Sequence, residues 1–147
     1  MTEHTSTSLH DLVVRTFAAV EAKDLEAMMS LLADDAVVID PHFPAPQMQG
    51  KAVITEAFRR AMSGMRSFGY TIVNYCESEN GQCAAVETAT HHVLKQGMKR
   101  HFPQVFIFEV ADGHIKRLQA YEPYGPHGIM GMFLFVARLT NRFGRQA

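Results

Sequence analysis

The strongest constraint on this chain is a change of hydrophobic period near residue 68. Before it, apolar residues recur every three or four positions, which places them on one face of a helix. After it they alternate with polar residues, which places them on one face of a strand. A chain built in that order packs a few helices against one antiparallel sheet, an α+β arrangement.

The helical half divides at its capping residues. Leu9, Leu12, Val13, Phe17 and Val20 form one stripe, preceded by Ser8 as cap with Asp11 in the first turn. Asp24 caps a second, short helix burying Leu25, Met28, Leu31 and Leu32. Ala33-Asp34-Asp35 reads as a solvated turn, and Ala36 to Ile39 as a short strand stopped by Asp40-Pro41, since proline cannot donate to a ladder. A loop with Pro41, Pro44 and Pro46 runs to Gly50, and Ile54, Ala57, Phe58, Ala61, Met62 and Met65 mark a third helix.

Four long strands follow. Tyr70 to Tyr75, Cys83 to Leu94, Lys99 to Val110 and His114 to Glu122 are separated by turns at Asn80-Gly81, Gln96-Gly97 and Asp112-Gly113. Cys76 and Cys83 flank the first turn out of register, Cys83 opposite Ser78, which favours two reduced thiols. Residues 1–8 read as a polar tail and 126–147 as a helical extension, apolar from Ile129 to Val136 and punctuated by Arg138, Arg142 and Arg145. This extension is expected to close the domain or pack on a partner, a membrane surface being the weaker alternative for so few arginines.

Composition narrows the function. With 14 Lys+Arg against 15 Asp+Glu, the chain has no electrostatic footprint for nucleic acid. No apolar run is long enough to span a bilayer, and no apolar targeting core stands near Met1, so a cytoplasmic protein is expected. The histidines show no metal-ligand spacing, and Gly125, Gly128 and Gly131 lack the strand, helix and lysine of a phosphate loop. Neither a metal nor another cofactor is expected.

Three segments carry a resemblance: Ala22-Lys23-Asp24-Leu25, then Leu31 to Pro41, then Gly50-Lys51-Ala52-Val53-Ile54. Together with Val105 to Val110, Asp112-Gly113-His114-Ile115 and Tyr121-Glu122-Pro123, they resemble the SnoaL-like and ketosteroid-isomerase-like branch of the NTF2-like superfamily. The resemblance spans residues 9–125. It implies a cone of strongly curved sheet closed by three helices, a small apolar ligand inside the cone, and a homodimer. It also implies cofactor-independent acid–base chemistry of isomerase, cyclase or dehydratase type on a carbonyl or hydroxy compound. Fold alone does not choose among these, and a non-catalytic ligand-binding or interaction module is the alternative.

Asp40 stands where the isomerase carries its general base; the competing reading is a plain Asp-Pro turn. The isomerase's Tyr and protonated Asp, which stabilise the dienolate, are matched by Thr16 and Gln104. Neither is an acidic donor, so a true steroid isomerase is not expected. Glu122 sits where cyclase and epoxide-hydrolase relatives place an aspartate. Matching the strand Cys83–Leu94 to the family turns Ala85, Glu87, Ala89, His91 and Val93 inward, giving Glu87 and His91 to the cavity beside Asp40. The opposite choice turns Val86, Thr88, Thr90, His92 and Leu94 inward. Asp40, His91 and Glu122 are thus the expected proton carriers. Thr16, Phe17, Phe58, Glu87, Gln104, Phe106 and Leu118 are the expected substrate contacts, and His42 and Phe43 line either the cavity mouth or solvent.

Overall fold

The computed structural model describes residues 8–123 and 128–143. The expected polar tail, Ser8 excepted, lies outside them, as does Arg145. Three helices open the chain: α1 (Leu9–Glu21), α2 (Leu25–Leu31) and, after two strands, α3 (Lys51–Gly64). Both expected caps form. Ser8 Oγ accepts from the Asp11 N–H at 3.1 Å, and Asp24 Oδ1 from the Ala27 N–H at 2.9 Å.

The strands are β1 (Leu32–Ile39), β2 (Gln47–Gln49), β3 (Met65–Ser67), β4 (Tyr70–Glu77), β5 (Cys83–Leu94), β6 (Lys99–Ala111) and β7 (His114–Tyr121). They form one sheet in the order β2-β1-β7-β6-β5-β3, with β4 also paired to β5. All pairings are antiparallel except β1 with β7. The fold is therefore α+β, as the period change requires, and its mainly antiparallel sheet matches the NTF2-like fold that the resemblance implies.

Three differences from the sequence reading concern short or polar pieces. β1 starts at Leu32, so Asp34 and Asp35 lie on a strand, exposed there and paired with Lys51 at 3.3 Å and Lys116 at 2.7 Å. β2 and β3, of three residues each, are too short to show a period.

The core lies between the helices and the inner sheet face. Val13, Met28, Leu32, Met48, Ile54, Val86, Phe108 and Ile115 are essentially inaccessible. Phe17 of α1 meets Phe106 and Phe108 edge-on, with ring centres 5.2 and 5.9 Å apart. Burial along β5 alternates strictly, with Ala84, Val86, Thr88 and Thr90 inside.

Loop length sets that choice. A two-residue loop at Gln96-Gly97 would pair Gln104 with Ala89. The loop instead has three residues, Lys95 to Gly97, closed by Leu94 N–H on the Met98 carbonyl at 2.9 Å, and Gln104 pairs with Thr88. One extra residue in a hairpin exchanges the two faces of a strand. Asp112 and Gly113, both at positive φ (52° and 73°), turn β6 into β7 as expected. Cys83 lies opposite Ser78, and both cysteines are free thiols.

After β7 comes α4 (Gly128–Phe143). None of its described side chains lines the cavity, and Ile129, Met132, Phe133, Phe135 and Val136 are each more than half exposed. Among the described residues no helix is long and apolar enough to cross a membrane.

Gly69 marks a point of close approach between β3 and β4. A Cβ there would stand 2.8 Å from the backbone oxygen of His91, which cannot move without breaking the sheet. Gly69→Ala is expected to cost about 1–3 kcal/mol in urea unfolding, the usual scale of overpacking. Gly64→Ala, where the added methyl meets nothing within 4 Å, is expected to leave stability unchanged or raise it by about 0.4–1 kcal/mol.

Candidate active site

The end of β1 builds the site. Asp40 follows Ile39 at the strand terminus, and its N–H donates to the Pro46 carbonyl at 2.8 Å. Its Oδ1 accepts from the His42 N–H at 2.9 Å, the local turn that Asp favours before such a loop. That turn swings the His42 side chain back over the strand. His42 Nδ1 then lies 3.1 Å from Asp40 Oδ1 and His42 Nε2 lies 2.5 Å from Glu122 Oε1. One imidazole thus bridges two carboxylates that are far apart in sequence. Their side chains are 19% and 18% exposed and that of His42 43%, a half-open rim.

Behind the rim a polar line runs into the core. Gln104 Nε2 donates to Glu122 Oε1 at 3.3 Å, Thr90 Oγ1 donates to Gln104 Oε1 at 3.0 Å, and Thr88 and Thr90 hydroxyls meet at 3.1 Å. Thr88, Thr90 and Gln104 are buried, and no fully buried side-chain polar atom among the described residues lacks a partner. The two neighbours of Gln104 together fix which way its amide points.

The cavity itself is large, about 990 Å³, and chiefly apolar. Phe17, Met28, Phe58, Phe68, Phe106 and Leu118 form much of its wall, and Asp40, His42, Tyr70, His92 and Gln104 supply polar atoms to it. This is the composition of a pocket for a small, mostly hydrophobic molecule.

The titration of the two histidines differs in sign. The hydrogen bond to Asp40 raises the His42 pKa above its ordinary value, with the charges of Asp40 and Glu122 helping and partial burial and Arg100 opposing. Burial lowers the His92 pKa to about 4, helped by the charges of His42 and His91 and opposed by the His91 backbone and Asp40. At neutral pH His92 is a neutral ring, and His42 retains its proton to higher pH than a free imidazole.

Comparison with known proteins agrees with this architecture. A SnoaL-like domain is matched over residues 13–118. The chain belongs to the SnoaL-like family. Among solved structures, a Δ5-3-ketosteroid isomerase from Mycobacterium sp. superposes with a TM-score of 0.69 at 22% identity, covering 77% of this chain and 91% of that one. A Mycobacterium tuberculosis protein in complex with estradiol-17β-hemisuccinate gives 0.69 at 22% identity, covering 80% and 94%. A protein of ketosteroid isomerase-like fold from Catenulispora acidiphila DSM 44928, in complex with trimethylamine, gives 0.67 at 20% identity, covering 76% and 84%. No curated protein matches.

Within this SnoaL-like domain the expected site residues separate into two groups. Asp40, Thr16, Phe17, Phe58, Gln104, Phe106 and Leu118 all line the cavity, and Glu122 stands behind its rim in contact with His42. His91 and Glu87 do not join them. His91 is on the outer sheet face, where its Nδ1 meets His101 Nδ1 at 2.7 Å, and Glu87 accepts from Asn74 Nδ2 at 2.5 Å. The expectation for these two is corrected. Turning their face inward would bury a carboxylate and an imidazole, whereas Thr88 and Thr90 satisfy their hydroxyls on Gln104. Thr16 lines the wall, but its hydroxyl donates to the Leu12 carbonyl at 2.7 Å, so its proton is already committed within α1.

His42, read from the sequence as lining either the cavity mouth or solvent, lines the cavity and gains a chemical role that the sequence did not assign. Its signal was the local pattern Asp40-Pro41-His42, an Asx turn that carries the third residue back onto the carboxylate. Its second partner, Glu122, is visible only in three dimensions.

A folded-state pKa above the unfolded 6.5 means that the His42 bridge contributes stability fully below about pH 6.5 and loses it as pH rises through the folded value. The His42 ring resonances, followed by NMR, are expected to titrate above 6.5 in the unaltered protein and at lower pH in Asp40→Asn. His92 acts oppositely: the unfolded chain takes up its proton first, so stability contributed by this group falls as pH drops from 6.5 toward 4.

Proposed function

We propose that the cavity performs cofactor-independent acid–base chemistry of isomerase, cyclase or dehydratase type on a small apolar carbonyl or hydroxy compound. The observation that carries this reading is the convergence of Asp40 and Glu122 on one imidazole at the edge of an apolar cavity. Membership in the SnoaL-like family, and a neighbouring fold that belongs to a ketosteroid isomerase, support the same class of chemistry.

Asp40 is the base. Both hydrogen bonds from His42 fall on Oδ1, which leaves Oδ2 to take a proton from carbon next to a substrate carbonyl. The C–H electron pair becomes a C=C bond and the carbonyl pair moves onto oxygen. The His42 ring holds Asp40 in one orientation and links it to Glu122, so a proton gained at one carboxylate has a path to the other. Gln104, anchored by Thr90, holds Glu122 in place. The apolar wall binds the body of the substrate and keeps bulk water from the carbanion.

A non-catalytic ligand-binding role is the second reading, favoured by one observation. A protein of the same fold holds estradiol-17β-hemisuccinate, and the cavity here is of a size for such a molecule.

The two readings separate by experiment. 2-Tetralone, a flat apolar ketone, is incubated with the protein in deuterated buffer, and exchange of its α-protons is followed by NMR. Exchange above the buffer rate is expected, lowered about 10²–10⁴-fold in Asp40→Asn, the usual contribution of a positioned base. Exchange that is equal in the two proteins removes Asp40 from the mechanism.

A further inference from the structure

One polar side chain in the cavity wall has no part in the network described above. Tyr70, on β4, is fixed on several sides. Its ring stacks on Phe17 with centres 4.7 Å apart, meets Phe106 edge-on at 5.8 Å and His92 edge-on at 5.1 Å. Its backbone N–H donates to Glu21 Oε1 at 2.7 Å. A phenol held this way has one torsion left to it, rotation of the O–H about the C–O bond.

That O–H has no hydrogen-bond partner among the described residues. Tyr70 is one of the cavity-lining residues, so this hydroxyl belongs to the cavity wall. Elsewhere in the interior the pairing is complete: Thr16 is spent on Leu12, and Thr88, Thr90 and Gln104 on one another and on Glu122. An aligned donor left unpaired in an apolar wall is what a ligand oxygen completes.

The surroundings keep it a donor. Burial, with the charges of Asp40 and Glu21, pushes the phenol above its ordinary pKa, so it stays protonated at every physiological pH. The neighbouring His92 is neutral. The Gly69 N–H stands 3.4 Å from its Nδ1, and the His91 backbone hydrogen-bonds the same ring. A neutral phenol and a neutral imidazole thus stand side by side, on the paired strands β4 and β5.

We propose that Tyr70, with His92 beside it, forms the subsite that receives the carbonyl oxygen of an uncharged, planar ketone. This rests on the acid–base reading above and gives that reading its electrophilic half. When Asp40 Oδ2 takes the α-proton, the C–H pair forms the new C=C bond and the carbonyl π pair becomes a lone pair on oxygen. The Tyr70 O–H, already aimed at that oxygen, strengthens its hydrogen bond as the charge develops. Reprotonation at carbon returns the pair, and no other reactant is needed. The donor comes from β4 and not from α1, where Thr16 is committed.

The test uses two probes of one shape. 2-Naphthol presents an oxygen to the subsite and naphthalene does not; both are titrated by fluorescence against the unaltered protein and Tyr70→Phe. Phenylalanine keeps the ring contacts with Phe17 and Phe106. The expected result is that the unaltered protein prefers 2-naphthol and that Tyr70→Phe weakens 2-naphthol about tenfold, the worth of one hydrogen bond. Naphthalene affinity is expected to be unchanged, which also shows that the variant is folded. Equal changes for the two probes, or no preference for 2-naphthol in the unaltered protein, overturn the subsite. Failure of the acid–base reading looks different: 2-tetralone then shows no protein-dependent exchange while the naphthol preference and its loss in Tyr70→Phe persist.

Discussion

The antiparallel pairing of β5 with β6 is the constraint from which the rest of the cavity follows. The three-residue loop Lys95–Gly97 sets their register, and register sets which side chains point inward. In this register Val86 lies opposite Phe106 in the core, Thr88 lies beside Gln104, and Thr90 reaches the Gln104 amide. The continuing pairing of β6 with β7 carries the same parity to Leu118 and Ala120, and so to Glu122 just beyond. A shift of one residue would bring Glu87 and His91 to the interior and leave Gln104 without its threonine partner.

The interior sets charged groups beside an apolar cavity. Unpaired charge in such a cavity is costly. Here two carboxylates share one imidazole at the rim, and all three side chains keep some contact with solvent. Deeper in, the polar atoms are neutral and paired in sequence from Thr88 to Gln104. The Tyr70 hydroxyl has no hydrogen-bond partner among the described residues, with the neutral His92 ring beside it. The neutral charge of the whole chain fits this, since an uncharged ligand needs no long-range steering.

Much of this was legible before the structure. The three helices, their caps, the four long strands and their turns follow from local rules: period, capping oxygen, Asn-Gly and Asp-Gly turns. Asp40 was legible because strand, acid and proline stand together. Gln104, Phe106 and Leu118 were legible because β6 and β7 alternate cleanly. The failures were nonlocal. The two faces of β5 are nearly equal in apolar content, so the sequence carried no bias strong enough to choose between them. His91 and Glu87 look like functional residues in isolation, but their face pairs with the outside of β6. Tyr70 read only as a good strand former, because whether its hydroxyl finds a partner depends on Phe17, Phe106 and His92, which arrive from three other elements.

By itself the sequence determined the α+β class, the order of the three helices and the long strands, the place of Asp40 and the apolar character of the interior. Each of these is a matter of neighbours along the chain, where period and turn chemistry act. The tertiary structure alone decided that His42 joins Asp40 to Glu122, that Thr88 and Thr90 and not His91 face inward, and that the Tyr70 hydroxyl opens on the cavity. Those outcomes depend on a hairpin one residue longer than the shortest possible and on strands far apart in the chain. The free energy that selects them is the cost of leaving a polar group buried and unpaired, a cost assessed only when the whole sheet is assembled.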